Sequence, residues 1–503
     1  MLSCKSNLFT AAITLYSLWS VFAFRGSLSE LYDSIAFYKL ILLISVYFVT
    51  RFMSGNYSPL LCICIVGVVQ SICAISQWIG VLQSNNIYFP VTGFMGNPGQ
   101  MGGFQAVSFV CSVLLLQSMR TVCKKIFGYV FIVLILFSLI LSDSRASFCA
   151  VIIGVVIVYH ELIKKIFLKY KWLIGIVIFI VFFLILMLCD YRVKSVESRI
   201  LIWHISINMI KDRPLCGFGY GGFNRNYMLY QADYFNDNIT SPFALVADNA
   251  FYPYNEFLNI TVNQGIIGLF LFIFMLITAF ASARNKSFTA PLFTLLTFSF
   301  FSYPFSKLSL AIILPFCLGL LHPSTISCKS HRVYGLILST FAICFTMVNI
   351  SWCRHSFDQM LLNVYKFKNQ VSFAAARAYF KQNSYDLETN LRYSSLLERF
   401  PEYRTNEDIA MLFPTCENRC ILGEFYLNLK EYDMAEEALK IAANMVPTRL
   451  RPHYLLWQLY VSKQDTASAY NQGLYILSMP LKVENTYTLK VKYEIENYLN
   501  AIQ

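Results

Sequence analysis

Six basic side chains gather in one long polar segment, residues 190–256, of an otherwise apolar sequence. They are Arg192, Lys194, Arg199, Lys211, Arg213 and Arg225. A guanidinium group presents paired N–H donors whose spacing matches the oxygens of a phosphate. The cluster therefore predicts a site for an anionic ligand, and a merely solvated surface is the alternative.

The same segment contains the residues that could handle a hydroxyl group. Tyr254 and Glu256 precede an apolar run, Asp248 lies shortly before them, and His204 falls in an amphipathic stretch. A carboxylate or an imidazole can accept a proton, whereas a tyrosine, with a reference pKa of about 10, is a poor base near neutral pH and can still orient a hydroxyl. An interfacial histidine is the alternative for His204, and a helix cap is the alternative for Glu256.

Glycine and amide residues add further candidate positions for substrate binding. After Asp212-Arg213, a proline ends a helix and closely spaced glycines allow a tight backbone path. An earlier loop, residues 93–100, also combines glycine, asparagine, proline and glutamine. The candidates are Asn97, Gln100, Gly217, Gly219, Asn249 and Asn255. An ordinary turn is the alternative for the glycines and for the earlier loop.

The elements that carry these residues are predicted to be membrane helices. The chain is 57% hydrophobic and only 14% charged, against about 25% charged residues in soluble domains. Apolar runs near the length of a span occur at 8–24, 34–50, 60–82, 102–117, 126–141, 146–159, 173–188, 265–283, 291–303, 308–321 and 334–352. They predict an all-α, polytopic membrane domain of about eleven spans over residues 1–353. The 15 cysteines show no metal-site spacing, so no metal site and no cofactor are predicted.

The basic loops predict the orientation of the spans. All of the net charge of +12 lies in the first 353 residues, because the tail has 17 basic and 17 acidic residues. Short basic loops alternate along the chain, which favours membrane orientation over nucleic-acid binding as their cause. This alternation places the N-terminus inside as a retained anchor and the segment 190–256 outside. Arg145 then lies between two spans on the outer face, where a lone arginine indicates function.

Residues 354–503 predict a soluble helical-repeat domain outside the membrane. The residues at 422, 423, 426, 435, 439, 442 and 447 stand at the spacings of the tetratricopeptide repeat, and a shift of 34 recovers Leu456, Tyr460 and Ala469. The small residues let two helices approach closely, and the aromatic residue fills the gap between them. A structural or docking role is expected, including the binding of a protein partner.

Several of these residues together resemble a family signature. It comprises Arg199-x3-Trp203, the run Asp212-Arg213-Pro214-Leu215-x-Gly217-x-Gly219-x2-Gly222-Phe223, and Asn255-Glu256-Phe257-Leu258 with Gly265-x2-Gly268. This pattern resembles the O-antigen ligase and O-antigen polymerase superfamily and is similar to bacterial protein O-oligosaccharyltransferases. The loop with Asn97-Pro98 and the Ser144-Arg145 turn resemble two further segments of the family.

The resemblance implies glycan transfer in the bacterial inner membrane. The donor would be an oligosaccharide on a polyprenyl diphosphate, and a hydroxyl of lipid A core would displace the diphosphate on the periplasmic side. Arg145, Arg199 and Arg213 would stabilise the charge of the leaving group without a metal. The family has a histidine where this chain has Tyr254, so the acceptor would be handled by Tyr254 itself or by Glu256, Asp248 or His204.

Other functions remain open from the sequence. A polymerase would extend another lipid-linked chain, and a protein O-oligosaccharyltransferase would use serine or threonine as its acceptor. A transporter of lipids or glycans is a different class, but transporters place ionisable residues near the middle of the membrane, and here nearly all charges lie in loops. A non-catalytic scaffold is the remaining alternative, suggested by Tyr254.

Overall fold

The computed structural model describes residues 2–23, 35–52, 58–169, 193–283, 288–322, 329–480 and 485–502, and every regular element in these ranges is helical. The first part contains α1 Leu2–Phe22, α2 Ile35–Phe52, α3 Ser58–Trp78, α4 Pro98–Ser118, α5 Val122–Leu141, α6 Arg145–Val158, α7 His160–Lys169, α8 Val193–Asp212, α9 Gly222–Asp237, α10 Glu256–Ala281, α11 Thr289–Phe301, α12 Leu308–Ala311 and α13 Ile313–Leu321. The predicted all-helical class is confirmed.

The apolar helices are those of a multi-pass membrane protein. Within the described ranges, five helices are long and apolar enough to cross a membrane, or six if the pair α6 and α7, bent by 78°, counts as one span. Three further apolar helices are shorter: 8–22, 289–301 and 308–321. The predicted span at 173–188 lies outside the described residues. The count of about eleven spans stays a prediction.

Small residues allow the apolar helices to pack closely around α4. A Cβ atom on Gly103 would lie 2.3 Å from a ring carbon of Phe298 in α11, and one on Gly154 would lie 2.2 Å from Thr294. Close approach through small residues is typical of helices packed in a membrane. The amide nitrogen of buried Gln105 donates hydrogen bonds to Ser71 and Ser138 of neighbouring helices inside the bundle.

The glycine-rich run after α8 pairs with a break in α10. The amide N–H groups of Phe218 and Gly219 donate to the carbonyls of Val262 and Asn263, each at 2.8 Å. Gly265 has a φ of 71° inside α10, and a Cβ atom there would lie 1.9 Å from the carbonyl oxygen of Leu215. Two backbones therefore touch at this point, which only glycine permits.

The tail begins as a continuation of the last apolar helix. Its elements are α14 Lys329–Phe367, α15 Gln370–Asn383, α16 Leu387–Arg399, α17 Asn406–Met411, α18 Cys416–Asn428, α19 Tyr432–Met445, α20 Leu450–Ser462, α21 Thr466–Ser478 and α22 Thr486–Ile502. The pair α20 and α21 begins 34 residues after the pair α18 and α19, at the predicted repeat spacing. Gly423 lets α18 approach Leu439 of α19. The assignment to tetratricopeptide repeats stays a prediction.

The tail and the polar segment share one hydrophobic core. Leu201, Ile205 and Met209 of α8 and Phe223 and Tyr227 of α9 are buried with residues of the tail. Those tail residues are Cys416, Cys420, Ala435, Leu439, Ala442, Ala443, Met445, Val446, Leu455, Leu456 and Leu459. In the same helix α8, Ile200 and Ile207 are exposed. The helix α8 thus has a second apolar face, which packs on the tail.

Polar contacts fix the same interface. Asp248 accepts a hydrogen bond of 2.7 Å from Arg449, and Asn249 donates one of 2.6 Å to Glu417. Gln231, fully buried, donates to the carbonyl of Met445 at 2.6 Å. These bonds join residues about 200 positions apart in sequence, so the tail is part of the same folded body as the polar segment.

Candidate functional site

Arg199 lies against Tyr254 where the polar segment enters α10. The guanidinium carbon of Arg199 is 5.4 Å from the centre of the Tyr254 ring, a distance at which a cation is attracted to the ring face. One turn along α8, the indole N–H of Trp203 donates to the carbonyl of Pro253 at 2.8 Å. The helix therefore holds the backbone next to Tyr254 as well as its ring.

A second arginine, Arg145, affects Arg199 through its positive charge. Arg145 is the first residue of α6. Burial lowers the pKa of Arg199, and the positive charge of Arg145 lowers it further, whereas Tyr254 opposes both effects. The ordinary pKa of arginine is the highest among the charged side chains, so its guanidinium remains charged. The two positive charges repel each other, and an anionic ligand bound at Arg199 would offset this repulsion.

Three tyrosines, Tyr252, Tyr254 and Tyr303, pack together beside Arg199, and we call them the tyrosine wall. Tyr252 and Tyr303 stack with their ring centres 3.9 Å apart, and Tyr254 meets Tyr303 edge-on at 5.3 Å. Burial raises the pKa of Tyr303 to about 12 and raises the pKa of Tyr252 and of Tyr254. All three phenols therefore stay protonated near neutral pH and can donate hydrogen bonds, but they cannot serve as bases.

The backbone of Tyr254 is unusual. Its φ of 51° lies in the left-handed region that residues other than glycine seldom adopt. Such strain persists only where the surroundings impose it, and it is concentrated at functional sites. Here the surroundings are the Trp203 hydrogen bond on one side and, on the other, Asn255, whose side chain caps α10 by accepting from the N–H groups of Phe257 and Leu258. The tyrosine ring is thereby aimed at Arg199.

Glu256 holds the loop that carries Tyr303. Its side chain is buried, and one carboxylate oxygen accepts from the backbone N–H of Phe305 at 2.7 Å. The other oxygen accepts from the Asn259 amide at 2.9 Å. Phe305 belongs to the short turn Pro304–Ser306, which follows Tyr303 directly. Both oxygens of Glu256 thus hold the loop that places Tyr303.

The loop that precedes α4 contributes one side chain to the site and one cap. Asn97 accepts from the N–H groups of Gly99 and Gln100, so it caps α4, whereas the sequence predicted substrate binding or an ordinary turn there. Gln100 is buried, and its amide nitrogen lies 3.5 Å from the hydroxyl of Ser302. The Gln100 amide also counteracts the burial of the Tyr303 hydroxyl by lowering its pKa. Gln100 therefore joins the tyrosine wall.

The structure does not bring the other candidates to this cluster. Arg213 comes fourteen residues after Arg199, about 20 Å along the helix, and its guanidinium lies over Phe218. The exposed ring of His204 meets Tyr234 edge-on. Asp248 and Asn249 bind the tail, and Gly217 and Gly219 contact the break in α10. The expected grouping of three arginines thus reduces to Arg145 and Arg199.

Two of the residues in the wall were not among the sequence candidates. Tyr252 and Tyr303 lie 51 positions apart, and only the fold stacks them. A weak signal exists at Tyr303, because it ends an apolar run and precedes a proline and Lys307. Polar and aromatic residues at the outer end of a span are typical of an interface. That pattern does not distinguish a site from an ordinary membrane boundary.

The comparisons with known proteins cover the region of this cluster. A family model described as O-antigen ligase matches residues 130–273. A protein of Rickettsia felis, provisionally named a polysaccharide ligase, is 31% identical over 33% of this chain and 41% of its own length. Similarly named proteins of Rickettsia typhi and Rickettsia conorii are each 30% identical, over 38% and 43% of their lengths.

These matches are partial. The chain spans about two fifths of the length of each of these relatives. No solved structure matches the chain significantly. The family model covers the region that carries Arg145, Arg199 and Tyr254, and over that region the chain is similar to O-antigen ligases.

Proposed function

We propose that this chain is an envelope glycosyltransferase of the O-antigen ligase type. It would transfer a preassembled glycan from polyprenyl diphosphate to an acceptor hydroxyl, that of lipid A core, on the periplasmic face of the inner membrane. The observation that carries the proposal is the placement of Arg199 against the protonated Tyr254, with Arg145 near enough for its charge to act on Arg199. The matches to O-antigen ligases support the same reaction.

The chemistry requires stabilisation of a leaving group. The acceptor oxygen forms a bond to the anomeric carbon while the bond between that carbon and the diphosphate oxygen breaks, and the electron pair stays with the diphosphate. Arg145 and Arg199 would bind this growing negative charge with charge-assisted hydrogen bonds. The proton of the acceptor passes to the departing diphosphate or to solvent, since the neighbouring tyrosines are already protonated.

Tyr254 takes a positioning role in this proposal. Its phenol can donate a hydrogen bond to the acceptor or to a diphosphate oxygen. We expect Tyr254→Phe to lower the rate of transfer by about tenfold, in line with the loss of one hydrogen bond of about 1.5 kcal/mol. Tyr254→His should restore or exceed the original rate and introduce a pH dependence near 6.5. The measurement is transfer of a radiolabelled lipid-linked glycan by the purified full chain between pH 5.5 and 8.5.

Glu256 provides a contrast between a supporting role and a catalytic one. Glu256→Gln should retain activity within about threefold, since an amide oxygen still accepts from the N–H of Phe305, whereas loss of a general base costs about 10²–10⁴. Glu256→Ala should lower the thermal stability of the protein, because it frees the Tyr303 loop. A fall of several hundredfold in the Glu256→Gln variant at unchanged stability would assign the proton transfer to Glu256 instead.

The phenotype of a deletion strain tests the reaction class. Loss of a ligase leaves long glycans on the carrier lipid and unmodified acceptor on a gel, and re-expression of the full chain should reverse both. A polymerase would instead leave acceptors capped with single units, and a protein O-oligosaccharyltransferase would leave lipopolysaccharide unchanged. A strain with normal glycan transfer and altered export of the carrier lipid would support a transporter.

A further inference from the structure

A second group of charges lies where the tail meets the membrane part. Lys39 of α2 pairs with Asp386 at 2.9 Å, and Arg354 of α14 pairs with Glu388 at 3.2 Å. Asp386 caps α16 and Glu388 lies in its first turn, so one helix end forms ion pairs with two cations, one from α2 and one from α14. Lys39 of the membrane part therefore has an ionic partner in the tail.

Lys307 is the third cation of this group. It follows the turn Pro304–Ser306, and its neighbour Leu308 packs with Tyr38 and Ile350 in one small apolar cluster. Each cation is close in sequence to a member of this cluster: Lys39 follows Tyr38, Lys307 precedes Leu308, and Arg354 comes one turn after Ile350. Apolar packing therefore brings the three cations near one another. Among the residues that the structure describes, Lys307 makes no hydrogen bond or ion pair through its ammonium group.

The environment of Lys307 has an excess of positive charge. Lys307 is half-buried, and burial lowers the pKa of its ammonium group. Glu388 and Asp386 raise that pKa, and Lys39 and Arg354 lower it. Three cations thus lie near two carboxylates, and each carboxylate already forms an ion pair with Lys39 or Arg354. A partly desolvated cation without a counterion is unfavourable, so the group is suited to receive one more negative charge.

A series of contacts through the tyrosine wall connects Arg199 to the turn that precedes Lys307. Tyr254 contacts Arg199, and Tyr303 stacks on Tyr252, whose pKa is raised by burial and also by the charge of Asp386. Lys307 itself comes one short turn after Tyr303, with its N–H bonded to the Pro304 carbonyl. The wall therefore has cations at both of its ends, in two groups.

We infer that Lys307, with Lys39 and Arg354, binds a phosphate carried by the membrane-anchored acceptor, while the arginine pair binds the diphosphate of the donor. The inference rests on the proposed function and narrows it, because an acceptor with its own phosphate is a lipid rather than a protein hydroxyl. Two lipid-anchored anions repel each other, and separate cations on each side of the reacting centre allow both to bind at once. The acceptor hydroxyl would then approach the donor sugar across the tyrosine wall.

Binding of a simple lipid phosphate tests the inference. The full chain in phosphatidylcholine nanodiscs is saturated with farnesyl diphosphate to fill the arginine site, and dodecyl phosphate is then titrated. Lys307→Met should weaken dodecyl phosphate binding by about tenfold to a hundredfold, the effect of one charge-assisted hydrogen bond. Lys307→Arg should stay within about threefold of the original affinity. Lys164→Met, in the basic helix α7, is the matched control and should change nothing.

The outcomes separate this inference from the proposed function. Unchanged dodecyl phosphate affinity in Lys307→Met, with farnesyl diphosphate still dependent on Arg199, would overturn the inference and leave the proposed function standing. Farnesyl diphosphate binding that is indifferent to Arg199 would overturn the proposed function instead. Inorganic phosphate that binds as tightly as dodecyl phosphate would show a site for a free anion and reject the lipid assignment. Normal farnesyl diphosphate binding verifies the fold of each variant, and Lys307→Gln replaces any variant that fails this check.

Discussion

Arg199→Met is expected to lower the rate of glycan transfer by about two to three orders of magnitude, the usual effect of removing one preorganised donor from a developing anion. The fully extended methionine side chain keeps much of the packing against the Tyr254 ring and removes the charge. The expected loss should therefore appear in the rate of the chemical step, measured as single-turnover transfer of a labelled lipid-linked glycan. Arg145→Met should have an effect of the same order.

The chain offers a matched control for this prediction. Arg213 has the same charge and belongs to the same polar segment, but it lies about 20 Å along the helix from Arg199, over Phe218. Arg213→Met should keep the rate within about threefold, as expected of a charge outside the site. Equal losses in the Arg213 and Arg199 variants would mean that the whole basic segment acts as a diffuse field, and the two-arginine site would be rejected.

Leu439→Ala should destabilise the polar segment even though Leu439 belongs to the tail. The side chain is buried in the core shared with α8 and α9, and truncation of a buried leucine costs about 2–5 kcal/mol. We expect trypsin to cleave the polar segment near Lys211 much faster in this variant, and glycan transfer to fall with it. The physical reason is that the two regions have one core, so neither can open without the other.

A second tail variant serves as the control. Ile495 is also fully buried, but it belongs to a separate cluster around α22 that contains no residue of the polar segment. Ile495→Ala should lower the stability of the tail by a similar amount and leave cleavage of the polar segment unchanged. If Leu439→Ala behaved in the same way as Ile495→Ala, the tail would be an independent domain and its contacts with Asp248 and Gln231 would have no role in the site.

Local chemistry could be predicted from the sequence where neighbours in the chain determine it. The proline and glycines after Asp212 do follow the end of α8, because a turn depends on a few adjacent residues. Asn97 and Asn255 were predicted to bind substrate, and the structure shows that both cap helices. The spacing of 34 in the tail likewise follows from helix and turn lengths. Arg199 and Tyr254 were both candidates, although their mutual contact was not foreseen.

Long-range pairing could not be predicted. The stack of Tyr252 on Tyr303 depends on how α10 packs with α11, and the bond from Arg449 to Asp248 depends on how the tail folds back. From the sequence alone, Asp248 was a candidate for proton transfer because its carboxylate lies close in sequence to the candidate site. In the structure, this carboxylate pairs with Arg449 of the tail. The glycines were similarly assigned to substrate, and their closest contacts are backbone atoms of α10.

Equilibrium binding of a lipid diphosphate tests the central claim most directly. Farnesyl diphosphate is titrated against the full chain in phosphatidylcholine nanodiscs, at low and at high salt, for the original protein and for Arg145→Met, Arg199→Met and Arg213→Met. Loss of about tenfold or more in affinity for the first two variants alone, together with weaker binding at high salt, is the expected result. Undiminished affinity in both the Arg145 and the Arg199 variants would contradict the account.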